Sequence, residues 1–347
     1  MSIQRETMSY VSVLNRYRNH IDGELKSIII VRDLPLYRMM AYHMGWLDDQ
    51  GETIEMEIGA RIHATLCAIT CEAMGGDIKK ALPAAAALEL IENFSQIHRD
   101  IQEGSPERHH RPTVWWVWGP AQGINAGDAM HALARLSLLR QTENIISPEQ
   151  ALTAVAKLDT ACLKVCEGQY LDLMYQERVD ISQSAYFEMV ECKTAALMSC
   201  ATELGALMSS ADERTTKAIA LYGRKLGMAL QIREDILDLW GSEKREPSPS
   251  GDILNKKKSL PIIYAIENAV GAERRTLGDV YFKRVMEIED LVKLIEVLDR
   301  LGAKKFSEET ADAFYHEAIQ AIDGVSISSE GFDELSNFAR LLVMSNY

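Results

Sequence analysis

Between Pro148 and Pro247 the chain carries no proline, and few stretches anywhere alternate with the period of two that a half-buried strand requires. That excludes a sheet-dominated fold and predicts a mostly helical chain. No apolar run approaches the ~20 residues needed to cross a bilayer. The opening Met1-Ser-Ile-Gln-Arg-Glu-Thr is polar and lacks the basic stretch leading into an apolar core that marks a secretory signal. Positive charge is in deficit: 37 Lys and Arg against 51 Asp and Glu leave a formal charge of -14. Nucleic acid and anionic membrane are poor partners for such a chain, and an anionic substrate would need metal ions and a local cationic cluster. Cys67 with Cys71 and Cys162 with Cys166 are spaced i, i+4, but no further Cys or His completes a zinc pattern. Small, reduced core residues in a cytoplasmic protein are expected.

Of the 347 residues 47% are hydrophobic, ample for a core, and the mean hydropathy of -0.12 suits a soluble chain. Turn-forming clusters break the helical periodicity at Asp48-Asp-Gln-Gly-Glu, Gly104-Ser-Pro-Glu, Gly241 through Gly251, and Ser326-Ile-Ser-Ser-Glu-Gly. With no internal repeat and no low-complexity tract, one helical domain over 1–347 is expected. The stretch from Gly241 to Gly251 reads either as a polar flap beside a site or as a solvated surface loop.

Two carboxylate clusters carry the chemistry. In Gln231-Ile-Arg-Glu234-Asp235-Ile-Leu-Asp238, helical spacing places Glu234 and Asp238 on one face with Asp235 beside them. Hard oxygen ligands spaced this way suit Mg²⁺ carrying a phosphate. Upstream, Ser95-Gln-Ile-His98-Arg99-Asp100-Ile-Gln-Glu103 resembles the same device with its first carboxylate replaced by arginine.

Gln231 to Asp238, then Gly251-Asp252, then Lys256-Lys-Lys258-Ser-Leu-Pro261, resemble the second aspartate-rich region of trans-isoprenyl diphosphate synthases. Glu89 to Glu103, followed by Arg108-His-His-Arg-Pro-Thr113 and Ile124-Asn-Ala-Gly-Asp128, resembles the first. Glu167-Gly-Gln169-Tyr-Leu-Asp172 and Lys193-Thr194 fall between them in the family's order, so the resemblance spans roughly 40–270. It implies an all-α isoprenoid synthase helical bundle around a deep apolar cavity, usually a homodimer, with a heterodimer with a related synthase as the other arrangement. By the same resemblance Glu234, Asp235 and Asp238 ligate Mg²⁺, and Asp100 and Glu103 do so more weakly. Arg108, Lys193, Lys258 and Gln231 would hold an allylic prenyl diphosphate. Phe94 and Ser95 stand where the family tunes product length and look compatible with a C15 to C20 chain. Trp115, Trp116 and Trp118 offer π faces to a carbocation or simply pack in the core.

The chain departs from the family where isopentenyl diphosphate binds. The family's Gly-Lys-Arg-x-Arg-Pro appears as Gly59-Ala60-Arg61-Ile-His63-Ala64, its histidine or glutamine one or two helix turns before the first cluster is Glu92, and the second arginine of its Arg-Arg pair is His109. Each lost charge-assisted contact costs about 1.5–3 kcal/mol. The flap lysine of the family is replaced by Pro247-Ser248. Arg99 has three readings: an ion pair with Glu103, a direct contact to diphosphate, or a sign that the site no longer binds one. The expectation carried forward is a terpene synthase that ionises one allylic diphosphate and cyclises it. An elongating prenyltransferase and a noncatalytic partner subunit remain as alternatives.

Overall fold

The computed structural model describes residues 2–54, 56, 58–140, 146–178, 180–241, 257–283 and 287–344. Among these the regular secondary structure is helical apart from one two-stranded hairpin and an isolated bridge between Leu47 and Thr53. The expected break at Gly241 to Gly251, with Pro247 and Ser248, lies outside the described residues after Gly241 itself, as do Asp252 and Lys256. No described helix is long and apolar enough to cross a membrane. By its internal contacts the chain groups into two compact units, residues 1–163, 197–220 and 324–338 in the first and 164–196, 221–323 and 339–347 in the second.

The first unit begins with α1 (Ser2–Ile29), α2 (Pro35–His43), α3 (Ile62–Ala73) and α4 (Ile78–Gln102), then the hairpin β1 (Glu107–Arg108) and β2 (Arg111–Pro112), α5 (Val114–Trp118) and α6 (Pro120–Leu139). Helix α4 is its centre, packed chiefly against α6 and α3. The Asp77 side chain accepts from the Lys79 backbone N–H and starts the helix. The run Ala84 to Ala87 is fully buried, small enough for neighbouring helices to approach, and Leu88, Leu90 and Ile91 complete the buried face. Each of those three side chains contributes about 1.5–3 kcal/mol on burial. The helix stops where the sequence predicts: Gly104 takes φ +64, a left-handed conformation open to glycine. The result is a firmly held helix whose last turns carry the altered cluster.

Helix α7 (Pro148–Gln176) and α10 (Glu213–Trp240) contribute residues to both units. Between them lie α8 (Gln183–Val190), a π-helical segment Glu191–Ala195 and α9 (Ala196–Met208). The second unit continues with α11 (Leu260–Asn268), α12 (Gly271–Phe282), α13 (Ile288–Arg300) and α14 (Ala303–Ile322), and α15 (Ser329–Met344) ends the chain. Ile232 and Ile236 of α10 pack with Met189 and Val190 of α8 and with Leu260 and Ile263 of α11. Leu239, one turn on, joins Ile262, Leu294 and Leu298. This apolar stripe fixes the rotation of α10 and so the placement of Gln231, Asp235 and Asp238.

Cys67, Cys71, Cys162 and Cys200 are buried, as expected of core residues, whereas Cys166 is exposed. Burial pushes the Cys71 thiol up to about 12, so it behaves as a small hydrophobe rather than a thiolate.

Candidate active site

In the second unit, polar side chains converge on one pocket, among them Asp172, Lys193, Gln231, Asp235, Asp238, Lys257 and Lys258, with Tyr186 and Ile262 in its wall. Lys193 reaches it because the chain widens into a π-helical turn at Glu191–Ala195, a device that re-aims side chains. Gly168 of α7 makes room for that turn, since a Cβ there would lie 2.3 Å from the Lys193 backbone nitrogen. The Lys193 Nζ donates to Asp172 at 2.7 Å, and Thr194 Oγ1 donates to Gln231 Oε1 at 2.6 Å. Lys258 is 3% exposed; its ammonium lies 4.7 Å from the Tyr281 ring centroid and donates to the Gln176 carbonyl at 3.3 Å.

Asp235 is the most constrained member. Its Oδ2 accepts from the Tyr186 hydroxyl at 2.6 Å and from the Leu260 backbone N–H at 3.0 Å, while Oδ1 accepts from Gln231 Nε2 at 3.1 Å. Burial pushes its carboxyl up to about 6, against the pull of those hydrogen bonds and of Lys193. The stripe that lines the pocket is therefore Gln231, Asp235 and Asp238, spaced i, i+4, i+7. The sequence reading paired Glu234 with Asp238; Glu234 is exposed and outside the lining, Asp238 half-buried and in it.

In the first unit the altered cluster is assembled differently. The hairpin swings Arg108 onto Asp100, which is 2% exposed: Arg108 Nε donates to Oδ1 at 2.9 Å and Nη2 donates to the same oxygen at 2.6 Å, with Nε 3.3 Å from Oδ2. Burial raises the Asp100 carboxyl and Arg108 opposes that rise. The turn of this hairpin is His109-His110, both with left-handed backbone at φ 51 and φ 58, where Asn-Gly is the usual choice. Arg99 Nη2 lies 3.8 Å from Glu92. Burial alone would raise Glu92, but His63, Arg99, Gln96 and Arg108 outweigh it and hold this carboxyl below its ordinary range. Arg61, another left-handed residue at φ 53, is 4% exposed and pairs with Asp22 at 3.0 Å and Glu89 at 3.8 Å. A pocket opens beside Arg108, lined by Tyr42, His43, Gln96, Asp100 and His109 among others. Burial and the charges of Arg108 and Arg61 push His43 down to about 3, and burial with Arg108 lowers His109; both imidazoles are neutral.

Phe94 is buried, its ring 5.0 Å from His98 and 5.0 Å from His131, and Ser95 beside it is half-buried. Trp116 is 60% exposed, Trp115 donates from its indole to the Ser105 carbonyl, and Trp118 meets the edge of Tyr42, so none of the three lines either pocket. Sequence reasoning missed Tyr186 and His43. Neither stands in a charged motif, and only tertiary packing brings them to a carboxylate or an arginine.

Among the described residues, no group of three or more His, Cys, Asp or Glu side chains forms a ready metal cage. Mg²⁺ does not need one, because it binds through one or two carboxylates, waters and substrate phosphates. Asp238 in the second unit fits that pattern. Asp100 does not, because Arg108 donates to its carboxylate.

Residues 45–298 match the model of the polyprenyl synthetase family. The (2E,6E)-farnesyl diphosphate synthase of Mycobacterium tuberculosis is 30% identical over 343 residues, 98% of this chain and 94% of that one. The geranylgeranyl diphosphate synthase of the same organism is 32% identical over 289 residues, 83% of this chain and 81% of that one. Among solved structures, a polyprenyl synthetase from Streptomyces coelicolor superposes with a TM-score of 0.88 at 31% identity, covering 96% of this chain and 99% of its own. A geranylgeranyl pyrophosphate synthetase from Pyrococcus horikoshii gives 0.85 at 27% identity, covering 97% and 99%. The all-α bundle and the match over most of its length establish that this chain belongs to the polyprenyl synthetase family.

Proposed function

We propose that the chain is a prenyltransferase that ionises an allylic prenyl diphosphate in the pocket of the second unit and passes the resulting cation to an acceptor. The observation that carries this reading is the convergence of Lys193, Gln231, Asp238 and Lys258 on one pocket. The named relatives are synthases of prenyl diphosphates, which favours transfer to an acceptor over the self-cyclisation expected from the sequence. In the reaction the allylic C1–O bond breaks and both electrons leave with the diphosphate. The acceptor's π electrons form the new bond to C1, and the proton lost from the acceptor passes to the released diphosphate.

Lys193 and Lys258 supply positive charge where the anion develops, held in place by Asp172 and by the Tyr281 ring. Gln231, oriented by Thr194, offers an amide at the same wall. Mg²⁺, when bound through Asp238, would neutralise the diphosphate and make it a better leaving group. Self-capture of the cation is a second reading, favoured by the internal pairing of Arg61 and Arg108 in the first unit. Incubation with geranyl, farnesyl and geranylgeranyl diphosphates and Mg²⁺, with and without isopentenyl diphosphate, tests the proposal by diphosphate release and product mass. Release only with an acceptor supports transfer; release without one supports cyclisation; no release with any donor rejects both in favour of a noncatalytic subunit.

A further inference from the structure

We infer that Asp235 is a positioning residue for Lys258 rather than a ligand of Mg²⁺, a role that rests on the donor pocket proposed above. The start of α11 needs a hydrogen-bond acceptor from outside the helix. Pro261 has no N–H, and the N–H groups of Ile262 and Ile263 both donate to the Ser259 carbonyl at 3.1 Å. Ser259 stands at the cap position, where a serine hydroxyl ordinarily accepts from the first turn, yet its side chain makes no such bond. The Leu260 N–H donates instead to Asp235 Oδ2 at 3.0 Å, so a carboxylate of α10 caps α11. The partial positive charge of a helix start favours an anion there.

The capped segment is part of the pocket wall, since Lys257, Lys258, Ser259 and Ile262 all line it. Leu260 and Ile263 are buried with Ile232 and Ile236, which seats α11 on α10 but does not orient the residues that lead into the helix. The hydrogen bond to Leu260 does, and Lys258 is two residues upstream, with its ammonium on the Gln176 carbonyl and over the Tyr281 ring. Asp235 is itself held by donors on both oxygens, the Tyr186 hydroxyl at 2.6 Å on Oδ2 and the Gln231 amide at 3.1 Å on Oδ1. At 9% exposure, a carboxylate that already accepts from a hydroxyl, an amide and a backbone N–H has little capacity left for a cation. Mg²⁺ binds through accessible oxygens while keeping several waters, and Asp238, half-buried in the same wall, is the more accessible carboxylate.

Calorimetry of the full chain with Mg²⁺ and farnesyl thiolodiphosphate, a donor that does not ionise, tests the inference. Lys258→Ala and Asp235→Ala should each weaken binding at least about tenfold. Combining them should weaken it less than about twofold beyond Lys258→Ala alone, because Asp235 acts through Lys258. Asp235→Asn keeps an oxygen for the Leu260 N–H and should bind at least about fivefold more tightly than Asp235→Ala. Across a Mg²⁺ titration, Asp238→Asn should raise the half-saturating concentration at least about tenfold more than Asp235→Asn does. Multiplying losses in the double variant, or equal Mg²⁺ shifts at the two positions, overturn the inference; if Asp235→Ala does not fold, the two Asn variants decide it. Amide hydrogen exchange at the start of α11, read without ligand, should be at least about tenfold faster in Asp235→Ala than in Asp235→Asn, and equal exchange denies the cap. If the wild type does not bind farnesyl thiolodiphosphate, the donor reading fails, and the exchange measurement alone decides whether Asp235 holds this segment.

Discussion

Gly168→Ala should destabilise this protein, against the ordinary rule for glycine inside a helix. In an exposed helix interior the change gains roughly 1 kcal/mol. At Gly168 the new methyl would sit 2.3 Å from the Lys193 backbone nitrogen and 2.5 Å from its Cα. Carbon contacts are comfortable at about 3.5–4.0 Å, so the π-helical segment would have to withdraw by more than an ångström, and backbone atoms have no rotamer to escape into. Overpacking of that kind costs about 1–3 kcal/mol, leaving a net loss of up to about 2 kcal/mol and a fall in Tm of a few degrees.

The functional loss should be larger than the stability loss suggests, because the displaced segment carries Lys193 and Thr194, which hold Asp172 and Gln231 at 2.7 Å and 2.6 Å. Loss of one charge-assisted contact to the diphosphate, about 1.5–3 kcal/mol, would weaken farnesyl thiolodiphosphate binding at least about tenfold. Thermal melts and calorimetry of that ligand read the two effects separately. Gly23→Ala is the control, since a Cβ at Gly23 in α1 meets nothing within 4 Å and should gain the ordinary helix stabilisation. A Gly168→Ala protein with raised Tm and unchanged ligand binding would refute the claim that the close approach of α7 positions Lys193.

Tyr186→Phe removes the hydroxyl 2.6 Å from Asp235 and should cost about 1.5–3 kcal/mol in urea unfolding, since it strips a donor from a buried carboxylate; a change under about 0.5 kcal/mol would mean the bond is idle. Arg108→Ala leaves Asp100 buried and uncompensated, and should destabilise by about 3–5 kcal/mol, most of it recovered in the Asp100→Asn background; additive losses in that double-mutant cycle would deny the pair. Asp235 titrates at about 6 in the folded protein and at ~3.9 unfolded, so the native state binds more protons between those values and stability falls as pH rises from ~4 through ~6. Asp235→Asn should flatten that segment of the stability–pH profile, with the Gln231 amide turning its oxygen toward the new NH₂ and its own NH₂ toward the Thr194 hydroxyl; adding Thr194→Val should make the same substitution costlier by about 1 kcal/mol.

The helical character was legible from the proline-free stretch and from the scarcity of strand alternation, and the end of α4 from Gly104. The family was legible from ordered motifs, which is why Lys193, Gln231 and Lys258, far apart in the chain, were expected to act together and do line one pocket, whereas Arg108 of the same expected set lines the pocket of the first unit. Helical spacing also limited α10 to a few stripes, but periodicity alone does not choose among them. The choice was made by Ile232, Ile236 and Leu239, whose burial rotates Asp235 inward and leaves Glu234 exposed. Tyr186 had no signal of its own, because its role comes from a contact between α8 and α10.

What sequence position does not encode is the partner a carboxylate has already taken. Asp100 and Asp238 are the same residue type, each in an acidic helix cluster, yet the first lies under a guanidinium while the second, half-buried, lines a pocket together with Lys193, Lys257 and Lys258. A carboxylate held by arginine contributes rigidity and has little left for a metal. Replacing the residue before Asp100 by Arg99 therefore alters more than one ligand. With Arg99 near Glu92 and Arg108 on Asp100, guanidinium groups fixed in the protein stand beside two of the carboxylates of α4. The acidic cluster is visible in the sequence at both places, and only the fold reveals that one of them has become an arginine–carboxylate pair reaching from α4 to the hairpin.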